Sequence, residues 1–142
     1  MRILVTGGRG FLGRPTMLAL QKAGHNVFVV SRKTVSGSSG YMADLLKQSD
    51  RKQLIKIAQA DILVHLAWQT HPGKFWTASD NVDWANASRH LIEIFFEAGG
   101  QRAIVAGTCA EYDWSFAEKP LAEDSPCQPA SLYGSCKLEL YR

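Results

Sequence analysis

Tyr133 and Lys137 lie four residues apart in Tyr133-Gly134-Ser135-Cys136-Lys137, just inside a helix predicted to begin near Ser131. Residues i and i+4 share a helix face, so a phenol and an ammonium there can point into one site. A free tyrosine titrates near pH ~10, too high for a base at neutral pH. A neighbouring ammonium stabilises the phenolate and brings that value down. The pair then suits proton exchange with a hydroxyl or a ketone, although the same spacing also occurs in ordinary surface pairs.

A second chemical signal lies at the other end of the chain. Ile3-Leu4-Val5-Thr6-Gly7-Gly8-Arg9-Gly10-Phe11-Leu12-Gly13 is a short aliphatic run followed by Gly-x-x-Gly-x-x-Gly and a helical pattern. A glycine turn between a buried strand and a helix N-terminus directs backbone N–H groups and the helix dipole at a phosphate. Gly7 serves the tight turn, Gly10 the close backbone approach to a pyrophosphate, and Gly13 the packing of helix on strand. A dinucleotide is the expected ligand, with Arg9, Phe11 and Leu12 beside it.

The end of the second strand indicates which dinucleotide. NAD-preferring folds place an acid there to bind the ribose 2′-hydroxyl. This chain has Ser31-Arg32-Lys33, with no carboxylate. Two cations suit a 2′-phosphate, and Arg9 can approach the same group. NADP is therefore the preferred reading, with NAD as the alternative if Arg32 and Lys33 are solvated loop charges.

Positioning these groups requires alternating strands and helices. Strands are predicted at Arg2–Thr6, Asn26–Val30, weakly at Tyr41–Asp44, at Asp61–His65 and at Arg102–Ala106. Helices are predicted over Phe11–Ala23 (apolar at Phe11, Leu12, Met17, Leu18 and Leu20, ending at Gly24), Arg51–Ala58, and from near Asp80 to Ala98 before Gly99-Gly100. Tyr112 to Ala130 reads as loop. The alternation implies an α/β, Rossmann-like, doubly wound parallel sheet occupying residues 1–142 as one nucleotide-binding domain. The last helix has no strand after it, so a longer protein with a C-terminal substrate-binding part is expected.

The gross composition is compatible. The 142 residues are 46% hydrophobic, enough for a core, and carry a formal net charge of +3. That charge is mild and spread out, which argues against nucleic acid and suits an anionic small molecule. Cys109, Cys127 and Cys136 are odd in number, without metal-type spacing, and are read as reduced thiols. There is no long apolar run and no leading signal before the first strand, so a cytoplasmic protein without membrane contact is expected.

The glycine spacing resembles the TGxxGxxG signature of the extended short-chain dehydrogenase/reductases, in the NAD-dependent epimerase/dehydratase group. Glu123-Asp124-Ser125-Pro126-Cys127-Gln128-Pro129-Ala130-Ser131-Leu132-Tyr133-Gly134 is similar to that family's E-D-x-P-x-x-P-x-S-x-Y-G approach to its catalytic tyrosine. Gly107-Thr108-Cys109-Ala110-Glu111-Tyr112-Asp113 resembles its S-S-x-x-V-Y-G, which aligns Thr108 with the catalytic Ser or Thr. His65-Leu66-Ala67-Trp68 looks like its HxAA segment, in which Leu66, Ala67 and Trp68 would line the cofactor and His65 would be a packed residue. Asp44, followed by Leu45, resembles the acid that meets the adenine amino group.

The resemblance implies catalysis by Thr108, Tyr133 and Lys137, with Tyr133 and Lys137 also touching the cofactor. It implies NADP(H)-dependent 4-ketoreduction or C4 epimerisation of a nucleoside-diphosphate sugar, in a full-length protein that can form a homodimer. A non-catalytic NADP-binding regulator and a reductase of a non-sugar ketone use the same fold and remain alternatives. Three departures stand out. Cys136 replaces the usual Ser before the lysine. Cys109 and Ala110 stand where 4,6-dehydratases carry Asp-Glu, which argues against dehydration. Trp84 occupies the place of a frequent Asn, with Asn81 and Asn86 out of register. Trp68, Trp76 and Trp84 are read either as stacking surfaces or as core.

Overall fold

The computed structural model describes residues 1–32, 40–116 and 120–142. Five strands, β1 (Arg2–Thr6), β2 (Asn26–Ser31), β3 (Gly40–Met42), β4 (Ile62–His65) and β5 (Arg102–Val105), form one sheet in the order β3-β2-β1-β4-β5. Every pairing is parallel, with Leu4 opposite both Phe28 and Leu63. This is the Rossmann-like sheet expected from the alternation. Central parallel strands are covered on both faces, so β1 reads as an unbroken aliphatic run and is buried from Ile3 to Thr6.

The described chain forms two compact units, Met1–Trp68 with Ala87–Ala106, and Gln69–Asn86 with Gly107–Arg142. The first holds the whole sheet together with α1 (Gly13–Lys22), α2 (Gln48–Ala58) and the later turns of α3 (Asp80–Glu97). One core layer joins Ile3, Val5, Val27, Val29 and Val64, with Met17, Leu20, Ile62 and Leu66 packed on it. Strand alternation sends Leu4 and Leu63 to the other face; Leu54, Leu91 and Phe95 from α2 and α3 are likewise fully buried.

Helix α1 differs from its predicted span. Leu12 is its N-cap and Phe11 precedes it, 95% exposed. The stripe facing the core is Gly13, Met17 and Leu20, whereas Leu18 is exposed. Of the apolar residues in the predicted helix, Phe11 and Leu12 belong instead to the glycine turn, and Leu18 sits about 100° around the helix from Met17. The helix ends where expected, with Gly24 donating to Gln21 O (3.0 Å) and His25 to Leu20 O (3.1 Å), a Schellman closure.

Helix α2 starts at Gln48, one turn before the predicted Arg51, and Arg51 N bonds to Lys47 O at 3.2 Å. In the second unit the stretch read as loop contains a 3₁₀ turn at Trp114–Phe116, and another at Cys109–Glu111 precedes it. Helix α4 (Leu132–Tyr141) is capped by Ser131, whose Oγ accepts from Gly134 N at 3.1 Å. The three cysteines are free thiols. Among the described residues there is no metal-holding group of side chains and no helix long and apolar enough to cross a membrane.

Candidate active site

Gly7 begins the turn after β1 with φ +68°, and a Cβ there would lie 2.7 Å from Ala67 N. A side chain at this position is therefore excluded both by backbone conformation and by space. Gly10 N donates to Gly7 O at 2.9 Å, which closes the turn. A Cβ on Gly13 would strike Gly7 O and come within 2.5 Å of Gly8 Cα, so the helix can seat against the strand end only without one. Helix α1 carries no side-chain cap and no acid in its first turn. Arg14 N donates to Gly10 O at 3.2 Å and Pro15 has no N–H, so what the helix start offers an anion is its positive dipole end, and the cradle fits a dinucleotide pyrophosphate.

A buried polar chain supports this turn. His65 Nδ1 lies 2.7 Å from Thr6 Oγ1 and its Nε2 lies 2.8 Å from Ser88 Oγ. All three residues are at most 2% exposed. Each hydroxyl can donate or accept, so either neutral tautomer is satisfied. Thr6 Oγ1 also accepts from Ala67 N at 3.2 Å, which holds the segment beneath Gly7. His65 is a packed residue, and Leu66, Ala67 and Trp68 are half-buried after it.

At the end of β2, Ser31 is half-buried and its carbonyl accepts from Ala43 N at 3.1 Å. Arg32 and Arg9 are exposed. Lys33 lies outside the described residues. Asp44 is fixed from two sides: its N–H donates to Asp50 Oδ2 (2.9 Å), and its Oδ1 accepts from Leu46 N (3.1 Å). The Leu45 side chain is buried at 5% exposure. Its carbonyl accepts from Arg51 Nη1 at 2.5 Å, while Arg51 Nε donates to His90 Nδ1 at 3.2 Å. Asp50 and Arg51 were not singled out from the sequence. Their role is to shape backbone, and no motif marks it.

In the second unit, Thr108 caps the Cys109–Glu111 turn. Its Oγ1 accepts from Ala110 N (3.2 Å), and its own N–H donates to Glu111 Oε1 (2.8 Å). The cap uses the oxygen of Thr108 and leaves its hydroxyl proton uncommitted by that bond. Glu111 escaped the sequence reading, although Thr-x-x-Glu is the capping-box spacing that could have found it. Cys109, whose place in the pattern suggests a buried inert thiol, is instead exposed as the first residue of this turn.

Tyr133 sits in the first turn of α4, its N–H donating to Trp76 O at 3.1 Å. Its ring meets Phe75 and Trp76 edge-on, with centroids 4.9 and 5.9 Å away. Asn81, fully buried, donates through Nδ2 to Phe75 O (2.6 Å) and Ala78 O (2.8 Å), and so fixes that wall. Trp84 is buried and Trp76 is 47% exposed, so only the latter offers a face to solvent. Lys137 is 5% exposed. Burial pushes its ammonium down to about 8, and the Glu111 carboxylate pulls it upward. Burial also pushes the Cys136 thiol up, with Glu139 adding to the rise.

Known proteins resemble the chain over almost all of its length. It is 28% identical over 145 residues to the dTDP-6-deoxy-L-talose 4-dehydrogenase (NAD(+)) of Aggregatibacter actinomycetemcomitans, covering 96% of this chain and 52% of that protein. It is 26% identical over 153 residues to the dTDP-D-glucose 4,6-dehydratase of Mus musculus, covering 96% of this chain and 43% of the relative. A short-chain dehydrogenase/reductase superfamily protein from Agrobacterium tumefaciens, solved with bound NAD, superposes with TM-score 0.83 at 26% identity, over 98% of this chain and 42% of that one. The chain thus spans about half the length of the curated relatives it matches. The pattern of the NAD dependent epimerase/dehydratase family matches residues 3–142, and the chain belongs to that family.

Proposed function

We propose that the protein containing this chain is an NAD(P)-dependent oxidoreductase or epimerase acting on a nucleoside-diphosphate sugar, by 4-ketoreduction or C4 epimerisation. Residues 1–142 would be its nucleotide-binding domain. The observation that carries this reading is a phenol and a buried ammonium on one face of α4, Tyr133 and Lys137, in a unit that also holds the Thr108 hydroxyl. The names of the two curated relatives support the substrate class.

NADP or NAD, when bound, would supply or take up the hydride. Tyr133 Oη takes the proton from the sugar hydroxyl, or returns it to the ketone oxygen. Lys137 keeps positive charge beside that phenol and favours its ionised form. Thr108 Oγ1 hydrogen-bonds the same substrate oxygen and orients it. Gly7, Gly10 and Gly13 would hold the pyrophosphate at the start of α1, Asp44 would meet the adenine, and Arg9, Arg32 and Lys33 would favour a 2′-phosphate. Phe11, Leu12, Ser31, Leu45 and Leu66 to Trp68 complete the cofactor surface.

Elimination of water needs an additional acid and base; the 4,6-dehydratase pattern has Asp-Glu directly after the Thr, where this chain has Cys109 and Ala110. Reduction or epimerisation therefore accounts for the residues better than the dehydration named for the mouse relative. The test is incubation of the full-length protein with NADPH or NADH and dTDP- or UDP-linked 4-keto and 4-hydroxy sugars. Hydride transfer or a change of configuration at C4 is expected. A 4-keto-6-deoxy product formed from a 6-hydroxy sugar would reverse the choice between the two chemistries.

A further inference from the structure

Glu111 is a carboxylate only 8% exposed, in a segment whose other chemistry is assigned to Thr108. Buried carboxylates are uncommon unless bonded and paired with charge. This one has two visible tasks. Oε1 accepts the Thr108 N–H at 2.8 Å, which sets the backbone from which the Thr108 hydroxyl projects. The carboxylate also leaves little room behind Gly107, where a Cβ would lie 3.2 Å from Oε1. Its position in the sequence is the one at which the pattern S-S-x-x-V-Y-G has an aliphatic residue, so Glu111 departs from that pattern.

The turn bearing Glu111 packs directly on α4. Gly134, between Tyr133 and Lys137, is pressed against the Ala110 carbonyl so closely that a Cβ would collide with it; Pro129 Cβ would lie 2.9 Å away. Lys137 is as buried as Glu111, so the same packed layer contains one negative and one positive group. The Glu111 field acts on Lys137, whereas Glu139 acts on Cys136 and Asp113 Oδ1 is held by Ser115 N and Oγ. We propose that Glu111 is a positioning residue of the site, fixing Thr108 through its amide and serving as counter-ion to the buried Lys137 ammonium. The proposal rests on the reading of Tyr133 and Lys137 as the reacting pair.

The test is a ¹³C-lysine NMR titration of the full chain, with Lys137 assigned from Lys137→Met. Glu111→Gln keeps an oxygen to accept the Thr108 N–H and removes the charge. The Lys137 midpoint is expected to fall by about one pH unit in this variant. Glu111→Asp, which retains the charge, should recover part of the shift and serves as the second variant should the Gln protein not fold. A Lys137 titration unchanged in Gln, or falling as far in Asp as in Gln, overturns the counter-ion role. This readout needs no turnover. Failure of the catalytic reading would appear separately, as undiminished hydride transfer in Tyr133→Phe.

Discussion

The ring of Tyr133 stands edge-on to that of Phe75, with centroids 4.9 Å apart and planes at 84°. The contact holds the phenol by its carbon framework and makes no demand on its hydroxyl. Such pairs contribute about 0.5–1.5 kcal/mol beyond burial. Tyr133→Phe should therefore keep the ring and the fold, and lose the proton exchange. Hydride transfer is expected to drop by roughly 10²–10⁴-fold, as for loss of a general acid–base. Equal rates in mutant and wild type would remove Tyr133 from the chemistry.

Asn81 secures the same wall from behind. Asn81→Ala leaves two carbonyls, Phe75 O and Ala78 O, without the Nδ2 donor at a fully buried position. A stability loss of about 1–3 kcal/mol is expected. Urea denaturation would measure it, and a midpoint equal to wild type would show that those bonds are replaceable.

Gly13→Ala forces a Cβ into Gly7 O and Gly8 Cα. Overpacking of this kind costs about 1–3 kcal/mol, here at the pyrophosphate turn itself. Loss of dinucleotide binding by calorimetry, beyond the loss of stability, is the expected result. A variant binding NADPH and NADH as wild type does would contradict the cradle.

Arg32 is the cation at the end of β2 in the position assigned to a 2′-phosphate. Arg32→Ser should weaken NADPH by about tenfold, in line with the ~1.5–3 kcal/mol of a charged hydrogen bond shared with neighbouring cations, and leave NADH unchanged. Parallel titrations with both nucleotides decide it. Equal affinities for NADPH and NADH in the wild type would end the NADP preference.

Lys137 titrates at about 8 in the folded chain, against an ordinary 10.5. Between these values the unfolded chain holds a proton that the native one has released, so this group's contribution moves toward the native state as pH rises from about 8 to 10.5. Below about 8 its burial opposes folding in full. Urea midpoints compared at pH 7, 9 and 10 should show that component in wild type and not in Lys137→Met. Parallel profiles for the two proteins would refute the shift.

The succession of strands and helices along the chain was legible because buried parallel strands and amphipathic helices leave different periodicities. Gly24 and Gly99-Gly100 marked helix ends by a mechanism that the Schellman bonds display. What remained hidden depends on the path of loop backbone or on partners distant in sequence. Asn81 acts through loop carbonyls, Arg51 through Leu45 O and His90, and the Thr6–His65–Ser88 chain joins residues up to 82 positions apart. Glu111 is the exception: its Thr-x-x-Glu spacing is a local capping-box signal that the sequence carries in full.

The contact of Gly13 with Gly7 and Gly8 also bears on how such a protein can diverge. Adding one carbon there harms the fold before it can alter what is bound, so the turn is closed to gradual exploration. Ser31, Arg32 and Arg9, half-buried or exposed, carry no comparable constraint. Selection for a different nucleotide would then accumulate its changes at the end of β2 and at Arg9, while the glycines of the turn after β1 stayed fixed. Drift between NAD and NADP would leave its record in the residues around that fixed frame.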